Sequence, residues 1–320
     1  MSNSLIFSKR NIENATSFSF NEIMFEWEDQ IADTLGLDFI CPQEANDSLE
    51  VLKDGSLGAE YKAFGFDMAV MPYPHMSSAE NMSVCIIDFY LKEDEWDDFI
   101  SAYSVNDKVF ITSREVYEKL IKYDGMLNIA HMPVTLPDKY SLDINDDWNK
   151  RPYDVAVVGN NSPVLKGWLD DYEKNHDVNI LRRGSGLQWP VYSSKTGFVG
   201  YVLLREHYFE LLKQCKAVLY STSGMDGSRH DTNGYHQVTP RFLEYLSCGC
   251  NVISKYDDNA DTDYFELGDM SFRVTDYDSF ETQMDKALET GPDLEKYGKY
   301  LKKHYTSTIV DQVKSVLNIS

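Results

Sequence analysis

Short apolar runs separated by longer stretches of helical periodicity recur from one end of this chain to the other, and this alternation restricts the fold more than any other feature. Runs rich in β-branched and aromatic residues suit strands buried on both faces. The stretches between them repeat apolar positions every three or four residues, as helices packed on a sheet do. Strand and helix in turn make βαβ units and a parallel sheet. In the first half, strands are expected at 4–7, 37–40, 66–71, 84–87, 108–111 and 128–133, with helices over 20–35 and 114–122, the latter capped by Thr112-Ser113.

The polar stretch between Pro137 and Pro152 has neither periodicity and reads as a linker. A length of 320 residues exceeds the usual single domain. Two domains are therefore expected, 1–145 and 146–320, with the final helix able to cross back onto the first. After the linker the pattern restarts, with strands expected at 154–158, 178–181, 217–220 and 251–254 and helices over 163–174, 201–214, 240–247 and 280–288. The loops 182–197 and 221–239 are long and follow strands. Ligands of such sheets bind beyond the strands' carboxyl ends, so these loops are where a site is expected.

Charge narrows the ligand. With 52 acidic and 30 basic residues, the net charge of -22 repels nucleic acid and anionic lipid surfaces. Any phosphate site must be a local cationic patch, and Lys9-Arg10, Arg182-Arg183 and Arg241 are the candidates. The five cysteines have no Cys-x2-Cys spacing, and Cys248-Gly-Cys250 reads as a pair of small buried fillers. No apolar segment has signal-peptide or membrane-span length, so a cytoplasmic location is expected.

The most informative segment is Thr239-Pro240-Arg241-Phe242-Leu243-Glu244, continuing through Gly249 to Val252-Ile253. Pro240 opens a helix and Gly249 ends it. Arg241 and Glu244 lie three apart at its N-terminal end, where the helix dipole favours anions. A cation for a diphosphate and a carboxylate for a vicinal diol are what a nucleotide-sugar site requires. The bland alternative is an ordinary surface ion pair.

This segment resembles the glycosyltransferase group 1 superfamily, in particular its CgeB-like branch. There a helix of the pattern Glu-Ala-x-Ala-x-Gly precedes a strand Pro-Val-Ile; Glu244 to Gly249 with Val252-Ile253 matches it in register. The resemblance extends over 105–290, with 108–133 similar to the end of the first domain, 153–159 similar to the opening strand of the second, and Lys166-Gly167 similar to the family's Lys-Gly near the diphosphate. The position where many members carry an earlier Glu against the donor sugar is occupied by His236.

The resemblance implies two Rossmann-like domains facing across a cleft, the GT-B fold. It implies a glycosyltransferase taking a nucleotide-diphosphate sugar such as a UDP-hexose, with retention of configuration and without metal or cofactor. Donor contacts are expected from Gly159, Asn160, Lys166, Arg182, Arg183, Thr239, Arg241 and Glu244, and an acceptor saccharide or glycoconjugate, lipid-linked ones included, from the first domain. Arg241 is expected to act in catalysis by neutralising the leaving diphosphate. His75 and Asp88, each following a strand-like run, are candidate general bases or electrostatic stabilisers, with His131 behind them. Each of these also reads as a hydrogen-bonded loop residue. Asp261-Thr262-Asp263 mimics a metal motif but sits in an acidic run read as a solvated loop. A binding protein without turnover and a nucleotide-sugar epimerase are the alternatives.

Overall fold

The computed structural model describes residues 5–8, 10, 20–41, 65–69, 82–123, 128–186 and 189–317. The chain divides into two compact units, 1–137 with 305–320, and 138–304.

In the first unit six strands are built in the order of the sequence: β1 Leu5–Phe7, β2 Asp38–Ile40, β3 Gly65–Ala69, β4 Met82–Ile86, β5 Lys108–Ile111 and β6 Ile129–His131. All neighbours are parallel, in the order β2-β1-β3-β4-β5-β6. Their carboxyl ends therefore share one edge. The interior of β4 and β5 (Val84, Cys85, Ile86, Val109, Phe110, Ile111) is completely buried, as expected of strands covered on both faces. Helix α1 Phe20–Leu35 buries Ile23, Met24, Trp27 and Ile31, one stripe at helical spacing. Helices α2 Trp96–Tyr103 and α3 Arg114–Tyr123 follow β4 and β5. The Ser113 hydroxyl accepts from Val116 N at 3.3 Å, which caps α3 as its sequence predicts.

The C-terminal helix Thr306–Leu317 belongs to this unit and packs on α1. It is fastened there by a parallel bridge between Leu136 and Tyr305, by Thr306 N donating to Leu136 O at 2.9 Å, and by the Thr135 and Thr306 hydroxyls 2.9 Å apart. Trp27 Nε1 donates to Thr135 O at 3.1 Å from α1.

The second unit carries β7 Tyr153–Val157, helix α4 Pro163–Asn175, β8 Ile180–Arg183, β9 Pro190–Ser193, β10 Gly197–Tyr201, helix α5 Arg205–Leu212, β11 Cys215–Ser221, helix α6 Arg241–Ser247 and β12 Asn251–Lys255. Helices α7 Ala260–Tyr264 and α8 Leu267–Met270, β13 Phe272–Arg273, α9 Tyr277–Glu289 and α10 Leu294–Leu301 complete it. The sheet order is β10-β9-β8-β7-β11-β12-β13, parallel except for the antiparallel β8–β9–β10 end. Side chains of α4 (Leu165, Leu169, Tyr172) and α9 (Phe280, Met284) share one core with Val155, Ile180, Leu219 and Ile253 of the sheet.

Three expectations are corrected. Residues 182–197 are not one loop: Arg182 and Arg183 end β8, and 190–197 belong to the β9–β10 hairpin, whose turn is closed by the Ser193 hydroxyl accepting from Lys195 N and Thr196 N at 3.2 and 3.0 Å. Tyr201 consequently ends a strand, and α5 starts four residues later than its periodicity suggests. The polar stretch 138–152 is not free chain. Its Tyr140 stacks on Phe209 with ring centroids 3.6 Å apart, and Trp148 Nε1 donates to Lys216 O at 3.0 Å. Arg151 is buried, pairs with Asp146 and donates to the carbonyls of Cys215 and Cys248, each at 2.6 Å. Finally, Asp261-Thr262-Asp263 is not a solvated loop. It lies in α7, capped reciprocally by Asn259, with Asp261 and Thr262 buried.

A half-buried histidine and a fully buried one give the fold a pH dependence. Burial, with some help from Arg114, lowers His131 to about 4; burial lowers His304 to about 4, and neither of its ring nitrogens has a hydrogen-bond partner. An unfolded histidine takes its proton near pH 6.5. Stability is thus full above that pH and falls as the pH drops toward 4, because only the unfolded chain binds the proton. In urea titrations from pH 7 to 4.5, His304→Phe is expected to lose less stability than the wild type across that window; parallel curves would contradict this.

Candidate functional site

The carboxyl edge of the second sheet gathers the residues that the sequence singles out. Strand β7 ends at Val157, and the chain turns through Val158-Gly159-Asn160-Asn161 into α4, whose first turn is capped by the Ser162 hydroxyl accepting from Leu165 N at 3.1 Å. Gly159 has φ +69°, and a Cβ there would stand 2.6 Å from Arg241 Nη1. Only glycine accepts both that backbone and that neighbour.

Arg241 arrives from α6. Its Nη2 donates to Asn160 O at 2.6 Å, and its Nη1 lies 3.4 Å from both Val158 O and Asn161 Oδ1. One turn further along α6, Tyr245 OH donates to Val158 O at 3.2 Å. The guanidinium therefore sits on the exposed β7–α4 turn, its charge presented at the sheet's carboxyl edge. Beside the turn is a cavity of about 270 Å³ lined by Val157, Gly159, Lys166, Leu169, Asp170, Arg182 and Arg183. The structure thus brings Gly159, Lys166, Arg182 and Arg183 to one cavity and joins Asn160 and Arg241 at its rim. Such a cluster of cations and a tight turn suits an anion of diphosphate size.

The cations are not equivalent. Arg182 is paired at 2.8 Å with both Asp170 and Glu173, which neutralise it, so it is no free phosphate ligand. Arg183 is exposed and lies 3.6 Å above the Trp189 ring, and Lys166 is exposed on α4 with no ion pair among the described residues. Arg10 is engaged by Glu28 and Asp29 and makes no cationic patch; Lys9 lies outside the described residues.

Glu244 departs most from expectation. It does not share a ligand face with Arg241: it points to α5, where Arg205 Nη2 donates to its Oε1 at 2.8 Å, and both side chains are 2% exposed. A carboxylate in that position has one oxygen already occupied and no open approach for a diol. The cause is α5, whose Arg205 meets α6 only in three dimensions. Thr239 precedes α6, with its N–H donating to Tyr220 OH at 3.1 Å, and does not line the cavity. His236 lies in the loop after β11, its Nδ1 3.0 Å from Ser223 O, while its own carbonyl accepts from Asn259.

Sequence reasoning overlooked a second polar group on this edge. Lys255, the last residue of β12, pairs at 2.8 Å with Asp226 Oδ1, and Asp226 also accepts from the Ser162 hydroxyl. Burial pushes the Asp226 carboxyl up, but the bonds from Lys255 and Ser162 outweigh it and hold it below its ordinary value. A lysine closing a strand's carboxyl end was the available signal.

In the first unit, Asp88 is half-buried in the segment just after β4, and His131 ends β6 with Nε2 3.2 Å from Thr112 O. Both belong to the carboxyl edge of that parallel sheet. His75 lies outside the described residues. Among the described residues no three His, Cys, Asp or Glu side chains are grouped to hold a metal, and no helix is long and apolar enough to cross a membrane.

The family described as glycosyl transferase-like matches residues 149–312, just over half of the chain. The chain belongs to this glycosyl transferase-like family. Solved glycosyltransferases of the GT-B fold match it over nearly the whole length. WaaG, a glycosyltransferase involved in lipopolysaccharide biosynthesis, superposes with a TM-score of 0.58 at 10% identity, with 99% of each chain covered. Sucrose-phosphate synthase from Thermosynechococcus elongatus gives 0.57 at 10% identity, with 98% of each chain covered. The α,α-trehalose-phosphate synthase (UDP-forming) from Burkholderia vietnamiensis gives 0.56 at 10% identity, covering 94% of this chain and 88% of its own. At such identity these establish the fold, two Rossmann-like domains, and nothing of substrate. A comparison with curated proteins by sequence gives no match.

The Arg205–Glu244 pair in this glycosyltransferase-like chain is costly to break from one side. Arg205→Met alone leaves a buried, unpaired carboxylate and is expected to lose about 3–5 kcal/mol of stability. Arg205→Met with Glu244→Leu restores most of it. Urea unfolding of both single variants and the double variant checks this; additive losses would contradict a coupled pair.

Proposed function

We propose that the chain transfers a sugar, a hexose from UDP in the simplest case, from a nucleotide diphosphate to a saccharide or glycoconjugate hydroxyl. The single observation that carries this reading is the Arg241 guanidinium fixed on the Gly159–Asn160 turn at the rim of a cavity that also holds Lys166 and Arg183. The family match over 149–312 covers most of the same unit and runs on into the C-terminal helix.

In this reading residues 146–320, apart from the C-terminal helix that packs on the first unit, bind the donor. The diphosphate lies against the turn after β7, with Lys166, Arg183 and Arg241 taking up the charge that develops as the glycosidic bond to phosphate breaks. Three cations and the α4 amino end supply that charge without a metal. Retention of configuration, an acceptor held by residues 1–145, and a lipid-linked acceptor are parts of the same proposal. Asp88 is then the described acidic candidate for stabilising the acceptor hydroxyl. His131 is neutral at physiological pH, since burial lowers it to about 4, which makes it a weak proton acceptor there.

A second reading, nucleotide-sugar binding without turnover, draws on one observation. Glu244 is held by Arg205 and His236 replaces the Glu of the resembled pattern, so neither carboxylate is offered to a donor in this conformation. An epimerase of the same architecture would use the same donor contacts.

Incubation with UDP-, GDP-, CDP- and ADP-sugars and a saccharide panel separates the three. Nucleotide released in step with glycosylated product supports transfer; an isomerised sugar indicates the epimerase, and binding alone the third reading. Calorimetric titration with the selected nucleoside diphosphate tests the site itself. Loss of a charge-assisted hydrogen bond removes about 1.5–3 kcal/mol, so Arg241→Ala and Lys166→Ala are each expected to weaken binding by roughly 10–100-fold. Unchanged affinity in both would sink the assignment.

A further inference from the structure

The loop after β11 carries a carboxylate held as a phosphate would be held. Asp226 Oδ1 accepts from Lys255 Nζ at 2.8 Å, and its Oδ2 accepts from the Ser162 hydroxyl. Three segments meet in that one side chain: the end of β12, the loop after β11 and the residue that caps α4. Lys255 and Asp226 are 17% and 22% exposed, so the pair is half-buried and still within reach of water.

Ser162 adjoins the turn that holds Arg241. Asn161 Oδ1, one residue earlier, lies 3.4 Å from Arg241 Nη1, and Ser162 N donates to Ser221 Oγ at 2.8 Å, at the end of β11. Strand β11 lies between β7 and β12, so Lys255 approaches the turn from two strands away, about 10 Å at the usual strand spacing. A phosphate oxygen placed where the Asp226 oxygens stand receives the same two donors, an ammonium and a hydroxyl.

The loop holds Asp226 there against its backbone preference. Gly224 (φ +78°), Asp226 (φ +52°) and Gly227 (φ +74°) are all left-handed within four residues. Glycine takes such angles freely; aspartate does so at a cost that the bonds from Lys255 and Ser162 offset. Thr222, 1% exposed at the loop's entry, has a hydroxyl with no partner among the described residues, a further cost of this arrangement. His236 fastens the loop's base, with Nδ1 3.0 Å from Ser223 O and its carbonyl accepting from Asn259, while the Asp226 contacts join the tip to β12 and α4.

We infer that Lys255 is a latent phosphate ligand of this edge, masked by Asp226 until an incoming phosphate group takes the carboxylate's place. The inference deepens the sugar-transfer reading and rests on it for the ligand, a diphosphate bound beside Arg241. Without ligand, Asp226 neutralises the ammonium. With ligand, the phosphate takes the Lys255 and Ser162 donors, and Asp226 turns to water as the tip of the loop is released. Affinity is lowered by the fraction of molecules in which the mask is in place.

The probes are inorganic pyrophosphate and UDP, titrated by calorimetry into the wild type, Asp226→Asn, Asp226→Gly and Lys255→Met, with urea unfolding of each. Asparagine and glycine both accept the left-handed backbone, so both variants are expected to fold. Removing the mask is expected to tighten both ligands at least about fivefold in either variant. In the Lys255→Met background the same substitutions are expected to give no more than about a twofold gain, because no ammonium is left to uncover. Simple repulsion between Asp226 and the ligand would act alike in both backgrounds, so equal gains overturn the inference. Unchanged affinity in both Asp226 variants also overturns it, as does binding of neither probe by any variant. Loss of cooperative unfolding in both variants would make the pair structural and overturn it as well. Pyrophosphate following the expected pattern while UDP binds no more tightly than pyrophosphate would leave this inference standing and defeat the nucleotide reading. UDP binding that Arg241→Ala abolishes and the Asp226 and Lys255 variants leave unchanged would do the reverse.

Discussion

The contact on which the second unit's site depends is the one between the Arg241 guanidinium and the backbone turn at Gly159. Two segments more than eighty residues apart meet there, with the arginine filling the space that any side chain at 159 would occupy. A guanidinium that binds carbonyls of the turn through some of its N–H groups keeps others, and its full charge, for a ligand at the edge. Because α6 begins at residue 241, the same contact aligns the helix with the loop. Tyr245, one turn on, bonds the same Val158 carbonyl and makes the alignment a two-point one.

Burial divides the charged residues of this unit into two kinds. Arg151 and Arg205 are interior: the first ties 146–151 to the carbonyls of Cys215, which opens β11, and of Cys248, the C-cap of α6, and the second joins α5 to α6 through Glu244. Removed from water, such groups persist where an opposite charge or carbonyls pair with them. Lys166, Arg183 and Arg241 are at the surface or half-buried, with donors to spare. The sheet's parallel order puts all three of the second kind at a single edge.

Much of this was legible in the sequence. The strands of the parallel core, such as 108–111, 153–157 and 251–255, are short β-branched runs whose local pattern and tertiary burial agree, and Ser162-Pro163 marks the start of α4 as capping chemistry requires. The turn Gly159-Asn160 and the helix start at Arg241 were likewise readable, since glycine and proline act through the backbone. The rest was hidden for a physical reason. Glu244 looks like a ligand residue until Arg205, thirty-nine positions earlier, is found beside it. Tyr140, Trp148 and Arg151 are lost in a polar stretch because each buries alone, without period. Strand β10 carries little burial to impose an alternation, so the hairpin's residues read as loop, and its exposed rings became visible only when neighbouring strands were in register.

The family and the fold are established by the match over 149–312 and by the GT-B neighbours, while the ligand rests on the Gly159–Arg241 junction. The most direct measurement is calorimetric titration of UDP into the wild type and Gly159→Ala, with urea unfolding alongside. The added methyl meets Nη1 at 2.6 Å on a backbone at φ +69°, so it must displace the arginine or the turn. The account predicts that UDP affinity collapses while cooperative unfolding persists; wild-type affinity in the folded variant would contradict it.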